Sequence, residues 1–166
     1  MATVYHDLAP EQAQFLSTLF PGIVKAGTNF PVVGLAFDGT AQSEAAYWRF
    51  PLLNYASSGN ITVTVEWYCT ATSGTIYMEA SIAAVTPNSD AASIEAKAFA
   101  TANNNTDTAM GTTKELANFD ITVTNLDSSA SGDEVWLKLR RVYDNINDTI
   151  AGDIIVTSVR ISYSDT

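Results

Sequence analysis

The chain has 166 residues, of which 46% are hydrophobic and only 16% charged, and its formal net charge is −10. This length fits one domain with a core of its own, and the acidic balance argues against binding of nucleic acid or of an anionic membrane. A single cysteine, Cys69, excludes an internal disulfide. Because no signal-peptide pattern and no membrane-spanning apolar run are present, we expect synthesis and folding in a cytoplasm.

The first 31 residues differ in pattern from the remainder and are predicted to form an N-terminal arm. Between Pro10 and the pair Pro21-Gly22, apolar residues recur at helical spacing, which predicts one short helix. They are Phe15, Leu16, Leu19 and Phe20, followed by Ile23. A helix this short is marginal in water unless its apolar stripe packs on something. The stripe could pack on its own domain or on a neighbouring subunit, and we favour the neighbouring subunit.

From residue 32 onward apolar and polar residues alternate, which is typical of half-buried strands. Strands are predicted at 32–37, 45–50, 61–70, 76–84, 116–124, 134–143 and 154–163, with a weaker one near 96–102. The short link 71–75 predicts a hairpin, and the polar tract 101–108 predicts an exposed loop. Residues 32–166 are therefore predicted to form an all-β antiparallel sandwich of jelly-roll type, with about eight strands.

Few residues are candidates for catalysis. His6 lies in the arm and is interpreted as an incidental surface residue, and Cys69 falls on the inward phase of its strand. Glu66 and Glu79 both lie on outward phases of the predicted hairpin, where a carboxylate pair about 5 Å apart could hydrolyse glycosides. Solvated carboxylates are the favoured interpretation, and we predict a protein that is not an enzyme and needs no cofactor.

The loop from residue 144 to residue 153 contains oxygen donors that could hold calcium, among them Asp144, Asp148 and Asp153. Its spacing departs from the EF-hand pattern because Ile146 stands at a ligand position. An ordinary polar loop is favoured, and no metal site is predicted.

Several aromatic residues could form a platform for a sugar or a subunit: Tyr47, Trp48, Trp67, Tyr68, Tyr77 and Trp136. Trp67 falls on the inward phase and is predicted to lie in the core. Tyr68 and Trp136 fall on the phase opposite to the most apolar residues of their strands, so either is a candidate contact with a subunit or a ligand.

Two runs of sequence resemble a known family. The stretch 46–55, AYWRFPLLNY, leads through Ser58-Gly59 into the strand TVTVEW at 62–67, and the chain closes with GDIIVTSVRISY at 152–163. Together with the turn Ser73-Gly74 these are similar to jelly-roll virion proteins of tailed bacteriophages, over roughly residues 34–166. The resemblance implies a jelly-roll subunit, often trimeric, placed on the capsid or in a tail fibre.

The function expected from this resemblance is a capsid decoration or cement protein that stabilises the major capsid lattice. It would act as a homotrimer on the virion surface, with the major capsid protein as partner and with neither nucleic acid nor membrane. Its predicted assembly contacts are Phe15, Leu16, Leu19, Phe20, Tyr68 and Trp136. The alternative is a tail or fibre subunit that binds host-surface glycan, and a weaker third reading is a carbohydrate-binding module or a small hydrolase.

Overall fold

The structure, a computed structural model, describes residues 2–90 and 93–166. These residues form ten β-strands in two antiparallel sheets, with 3-10 turns at Pro10–Gln12 and Ile94–Ala96. The strands are β1 Thr3–Leu8, β2 Gly22–Ala26, β3 Val32–Phe37, β4 Glu44–Pro51, β5 Ile61–Cys69, β6 Thr75–Val85, β7 Asn103–Thr108, β8 Ala117–Val123, β9 Glu134–Arg141 and β10 Ile154–Ser164. Within these ranges no helix is both long and apolar enough to cross a membrane.

The larger sheet has the strand order β2-β3-β10-β5-β8, and β1 also pairs with β10. One side of β10 is shared, because β3 pairs with Ile154–Val156 and β1 pairs with the stretch from Val159 to Ser164. The register against β5 shifts between Val156 and Ser158, at the point where the partner changes. The smaller sheet has the order β4-β9-β6-β7.

The core lies between the two sheets and is filled by alternate residues of their strands. In β5 and β9 every second residue is fully buried, as the period-two pattern predicts. Trp67 is 1% exposed and its indole Nε1 donates to Asp107 Oδ2 at 2.8 Å, and Cys69 is also buried. The prediction of an antiparallel β-sandwich of jelly-roll type is confirmed, and so is the place of Trp67 in the core.

The predicted helix of the arm does not form. Within residues 10–20 the only helical turn is Pro10–Gln12, and β1 and β2 join the larger sheet through β10 and β3. The segment 13–20 runs beside the edge of β4: Gln14 and Tyr47 exchange two backbone hydrogen bonds, and Ala45 N–H donates to Leu19 O at 2.9 Å. At Gln14 and Leu19, hydrogen bonds to β4 take the place of the backbone hydrogen bonds that a helix would form. Residues 2–31, the described part of the predicted arm, thus belong to the sandwich.

Two predictions about strands are also corrected. The link 71–75 does not join a hairpin within one sheet, because β5 belongs to the larger sheet and β6 to the smaller one. The tract 103–108, predicted as a loop, is the edge strand β7, whereas the strand predicted near 96–102 is absent there. Side chains of β7 reach across to the larger sheet, since Asn105 Nδ2 donates to Asp120 O at 2.7 Å. Because β7 carries polar side chains on both faces, its sequence shows no alternation of apolar and polar residues, and the strand could not be predicted from that pattern.

A buried arginine joins the loops at one end of the sandwich. The side chain of Arg141 is 0% exposed, and its Nη2 lies 2.8 Å from Asp148 Oδ1 while its Nε donates to Asp148 Oδ2. It also donates to the backbone carbonyls of Phe37, Ile150 and Gly152. Asp148, a candidate calcium ligand by sequence, is therefore already paired with a cation of the protein. Residues 2–90 and 93–166 contain no cluster of three or more His, Cys, Asp or Glu residues suited to a metal ion.

Candidate binding grooves

The outward face of the smaller sheet carries a groove of about 570 Å³. On its floor β6 contributes Ala83, and the preceding outward residue of that strand, Ser81, is small as well. The ladder places Lys138 of β9 between Ser81 and Tyr47 of β4, and it places Trp136 beside Ala83. Small residues on β6 next to large residues on β9 and β4 create the depression.

Two segments outside the sheet build the walls of this groove. The segment 13–20 contributes Phe15 and Leu16, and the segment 93–100 contributes Phe99 together with polar residues. The second wall is held to the sheet by the hydrogen bond from Ala100 N–H to Ile82 O, 2.9 Å long. The ring centroids of Tyr47 and Phe99 lie 5.9 Å apart. Aromatic rings from four separate parts of the chain therefore surround one floor.

Charged groups surround the aromatic rings. Arg49 lies over the indole of Trp136, 5.4 Å from the ring, and is paired with Glu134 at 2.8 Å. Nζ of Lys138 lies 6.0 Å from the centroid of Phe99. Burial lowers the pKa of Lys138, and the positive charge of Arg140 lowers it further. Burial also raises the pKa of Tyr47, so its hydroxyl remains a neutral hydrogen-bonding group near neutral pH.

A second groove, of about 610 Å³, lies on the outward face of the larger sheet. Tyr68 and Phe30 are its aromatic residues, and Glu66, Lys114 and Leu116 also line it. Phe30 is 71% exposed and projects from the loop between β2 and β3. It contains two aromatic residues, whereas the groove on the smaller sheet contains four.

The structure separates the residues that were predicted as assembly contacts. Phe15, Leu16 and Trp136 meet in the groove of the smaller sheet, whereas Tyr68 lies in the groove of the larger sheet. Leu19 and Phe20 are about half exposed and line neither groove, although the ring of Phe20 lies 5.6 Å from that of Phe15. Of the aromatic platform suggested by the sequence, Trp48 is instead 1% exposed and donates from Nε1 to Ala9 O.

The candidate catalytic residues are not brought together. Glu66 faces outward from the larger sheet and Glu79 from the smaller sheet, so the two carboxylates lie on opposite faces of the sandwich. His6 is part of β1 and is not an incidental surface residue. Its Nε2 lies 3.0 Å from the hydroxyl of Tyr163, and its ring lies 5.3 Å from that of Phe50. Burial lowers the pKa of His6.

Sequence reasoning missed Phe99, Lys97 and the floor residue Ala83. The segment around Phe99 has no clear periodicity, and its distance from β4 and β9 along the chain hides its place in the groove. The available signal was the run of small residues in β6, where Ala80, Ser81, Ala83 and Ala84 break the alternation with larger side chains. A strand that presents small residues outward is a place where another segment or a ligand can approach closely.

No protein-family model matches the sequence, and no curated protein matches it either. Solved structures do match over nearly the whole chain. The xylan-binding CBM22-1 domain from Paenibacillus barcinonensis Xyn10C has a TM-score of 0.53 at 8% identity, with 98% of this chain and 94% of that chain covered. A family 35 carbohydrate-binding module from Clostridium thermocellum has a TM-score of 0.52 at 12% identity, with 97% and 98% covered. CBM28, a carbohydrate-binding module specific for non-crystalline cellulose, has a TM-score of 0.52 at 11% identity, with 93% and 89% covered.

These comparisons correct the function predicted from the sequence. The prediction of a capsid decoration or cement protein is contradicted, because the structures that share the fold across almost the whole chain are carbohydrate-binding modules. The glycan-binding alternative agrees with them better. At identities this low the likeness establishes the fold alone. A homotrimer stays a prediction.

Proposed function

We propose that this protein is a non-catalytic carbohydrate-binding domain, and that its glycan lies in the groove on the outward face of the smaller sheet. The observation that carries the proposal is the grouping of Phe15, Tyr47, Phe99 and Trp136 around one groove, with Ala83 on its floor. Sugar rings have apolar C–H faces and polar hydroxyl edges. Aromatic rings pack against the C–H faces, and nearby polar groups form hydrogen bonds with the hydroxyls.

The polar groups of the groove are placed to bind hydroxyls. Lys97 offers an ammonium donor, Glu95 offers acceptors, and the hydroxyl of Tyr47 can donate and accept. They line the same groove as the aromatic rings. The fold shared with carbohydrate-binding modules supports the proposal independently of this geometry.

The chemistry of the described residues supports binding without catalysis. Glu66 and Glu79 cannot act on one glycosidic bond, because they face away from each other across the sandwich. His6 contacts Tyr163 and Phe50 and is not among the residues that line the groove. Within the groove, Glu95 is the only carboxylate among the lining residues described, so it lacks the second carboxylate that glycoside hydrolysis employs.

The test is affinity electrophoresis in gels that contain xylan, amorphous cellulose derivatives or other soluble polysaccharides, followed by calorimetry on each polysaccharide that retards the protein. Trp136→Ala should weaken binding by roughly tenfold or more, as expected for a central aromatic contact. Tyr68→Ala is the matched control, because it removes a half-buried aromatic residue from the opposite sheet.

Circular dichroism should show that both variants keep the β-sandwich. Lost binding in Tyr68→Ala together with normal binding in Trp136→Ala would move the site to the other face. If the unmodified protein binds no polysaccharide of a broad panel, the proposed function is wrong.

A further inference from the structure

Basic side chains are concentrated on the outward face of the smaller sheet. The chain has 8 Lys and Arg residues and a formal net charge of −10. Four of those residues lie on or beside the outward face of the smaller sheet: Arg49, Lys97, Lys138 and Arg140. A fifth, Arg141, points into the core. An acidic protein thus places half of its basic side chains on or beside one sheet face, and two of them, Lys97 and Lys138, line the groove.

Three of these four cations are paired with carboxylates of the protein. Arg49 pairs with Glu134 at 2.8 Å, Lys97 with Asp127 at 3.1 Å, and Arg140 with Glu79 at 3.5 Å: these are the ion pairs on this face. Their charge is largely compensated within the fold, so they contribute little to attracting a ligand.

Lys138 differs from the other three. Among residues 2–90 and 93–166, Lys138 has no carboxylate within 4.0 Å of its Nζ and no hydrogen bond. The nearest acidic influence is Glu79, which is paired with Arg140 and acts on Lys138 only through its charge. Every buried side-chain nitrogen or oxygen of the described residues has a hydrogen-bond partner, so this Nζ is reached by solvent. Its stem is half-buried between Tyr47 and Ser81, and Phe99 stands 6.0 Å away. The groove therefore contains an ammonium group that is partly desolvated and has three donors to offer.

Resting on the proposed function, we propose that the groove selects an acidic glycan, a chain that carries uronic acid residues, and that Lys138 binds the uronate carboxylate. A carboxylate forms a charge-assisted hydrogen bond with an ammonium group, which is about twice as strong as the bond that a neutral hydroxyl forms. The aromatic rings then hold the neighbouring neutral sugars of the same chain.

The charges around the groove also limit how acidic a glycan the groove can bind. Glu95 stands exposed in the wall that carries Phe99, and it disfavours a second carboxylate at that point. The net charge of −10 repels a polymer charged at every residue. A mainly neutral chain with isolated uronates, such as glucuronoxylan, therefore fits better than a polyuronate.

The experiment compares glucuronoxylan with the same polysaccharide after chemical reduction of its carboxyl groups, by calorimetry in about 0.1 M salt. The carboxyl-reduced polymer keeps the backbone and loses the charge. We expect its affinity to be roughly fivefold to tenfold lower, the effect of one charge-assisted hydrogen bond at a partly exposed site. Lys138→Gln should bind both polymers with the weaker affinity. Lys25→Gln, a change to an exposed lysine of β2 in the other sheet, should keep the full difference.

The outcomes separate the two proposals. Equal affinity of the unmodified protein for both polymers overturns the selection of uronate while leaving glycan binding in place. A Lys138→Gln variant that loses the same factor for both polymers also overturns it, because Lys138 would then be a general contact. Failure to bind either polymer, or any other polysaccharide, removes the proposed function and this inference with it.

Discussion

The buried ion pair between Arg141 and Asp148 gives a sharp stability prediction. Replacing Arg141 with Met removes the guanidinium and leaves the Asp148 carboxylate, which is 1% exposed, without its cation. It also removes the donors to the carbonyls of Phe37, Ile150 and Gly152. Loss of one partner of a buried ion pair destabilises a protein by about 3–5 kcal/mol. For a chain of this length we therefore expect the melting temperature to fall by roughly 10 °C.

The assay is urea denaturation followed by tryptophan fluorescence, since Trp48 and Trp67 are both buried in the folded protein. The matched control is Arg160→Met. Arg160 pairs with Asp7 at 2.7 Å, a distance as short as that of the buried pair, but both side chains are exposed. Solvent screens that pair, so the control should leave the unfolding midpoint within experimental error.

A double-mutant cycle tests the reasoning itself. Arg141→Met combined with Asp148→Leu removes both charges, and the combination should recover part of the stability that the single change loses. A loss below about 1 kcal/mol in Arg141→Met would refute the argument, because an unpaired buried carboxylate is more costly than that. Equal losses for Arg141→Met and Arg160→Met would refute it as well.

Three further predictions concern other parts of the fold. Gly39→Ala should lower the melting temperature, because a Cβ there would lie 2.2 Å from Gly152 O, whereas Gly111→Ala, with no atom within 4 Å, should not. His6 has a pKa below the ordinary 6.5, so the unfolded chain takes up the proton first. Stability should be complete above about pH 6.5 and should fall as the pH drops toward the lower pKa of the folded state, a trend that is absent in His6→Gln. EDTA should leave the melting temperature unchanged, since Arg141 already pairs with Asp148, and a drop of several degrees would contradict this.

The strands that could be predicted from the sequence are those in which apolar and polar residues alternate. The observed bounds of β3 match the predicted ones, and those of β5, β6 and β10 agree within one residue at each end. In β5 one face is buried and the other is partly exposed along the whole strand, so the hydrophobic pattern determines which residues point inward. The second half of β6 is buried on both faces, and there the pattern predicts the strand but not the cover over its outer face. The same pattern places Trp67 in the core and Trp136 on the outer face.

The missed features depend on contacts between distant parts of the chain. The apolar spacing of Phe15, Leu16 and Phe20 fits a helix, but these residues belong to an irregular segment that is hydrogen-bonded to the edge of β4. No local signal distinguishes the two cases, because the edge of β4 comes about 30 residues later. The groove could not be predicted for the same reason, because it also depends on contacts between distant parts of the chain. Its walls at 13–20 and 93–100 meet only after β4, β9 and β6 have assembled.

The attachment of the first groove wall to the sheet has a consequence for the thermodynamics of ligand binding. Backbone hydrogen bonds fasten the segment 13–20 to β4 at Gln14 and again at Leu19, so Phe15 and Leu16 project from a short span anchored on both sides. The entropy of ordering that wall is lost when the protein folds, not when a ligand arrives. A ligand in this groove therefore meets a first wall that is already ordered. Its association should be limited by diffusion and orientation, and its heat-capacity change should reflect the aromatic area that it covers and include no folding of the wall.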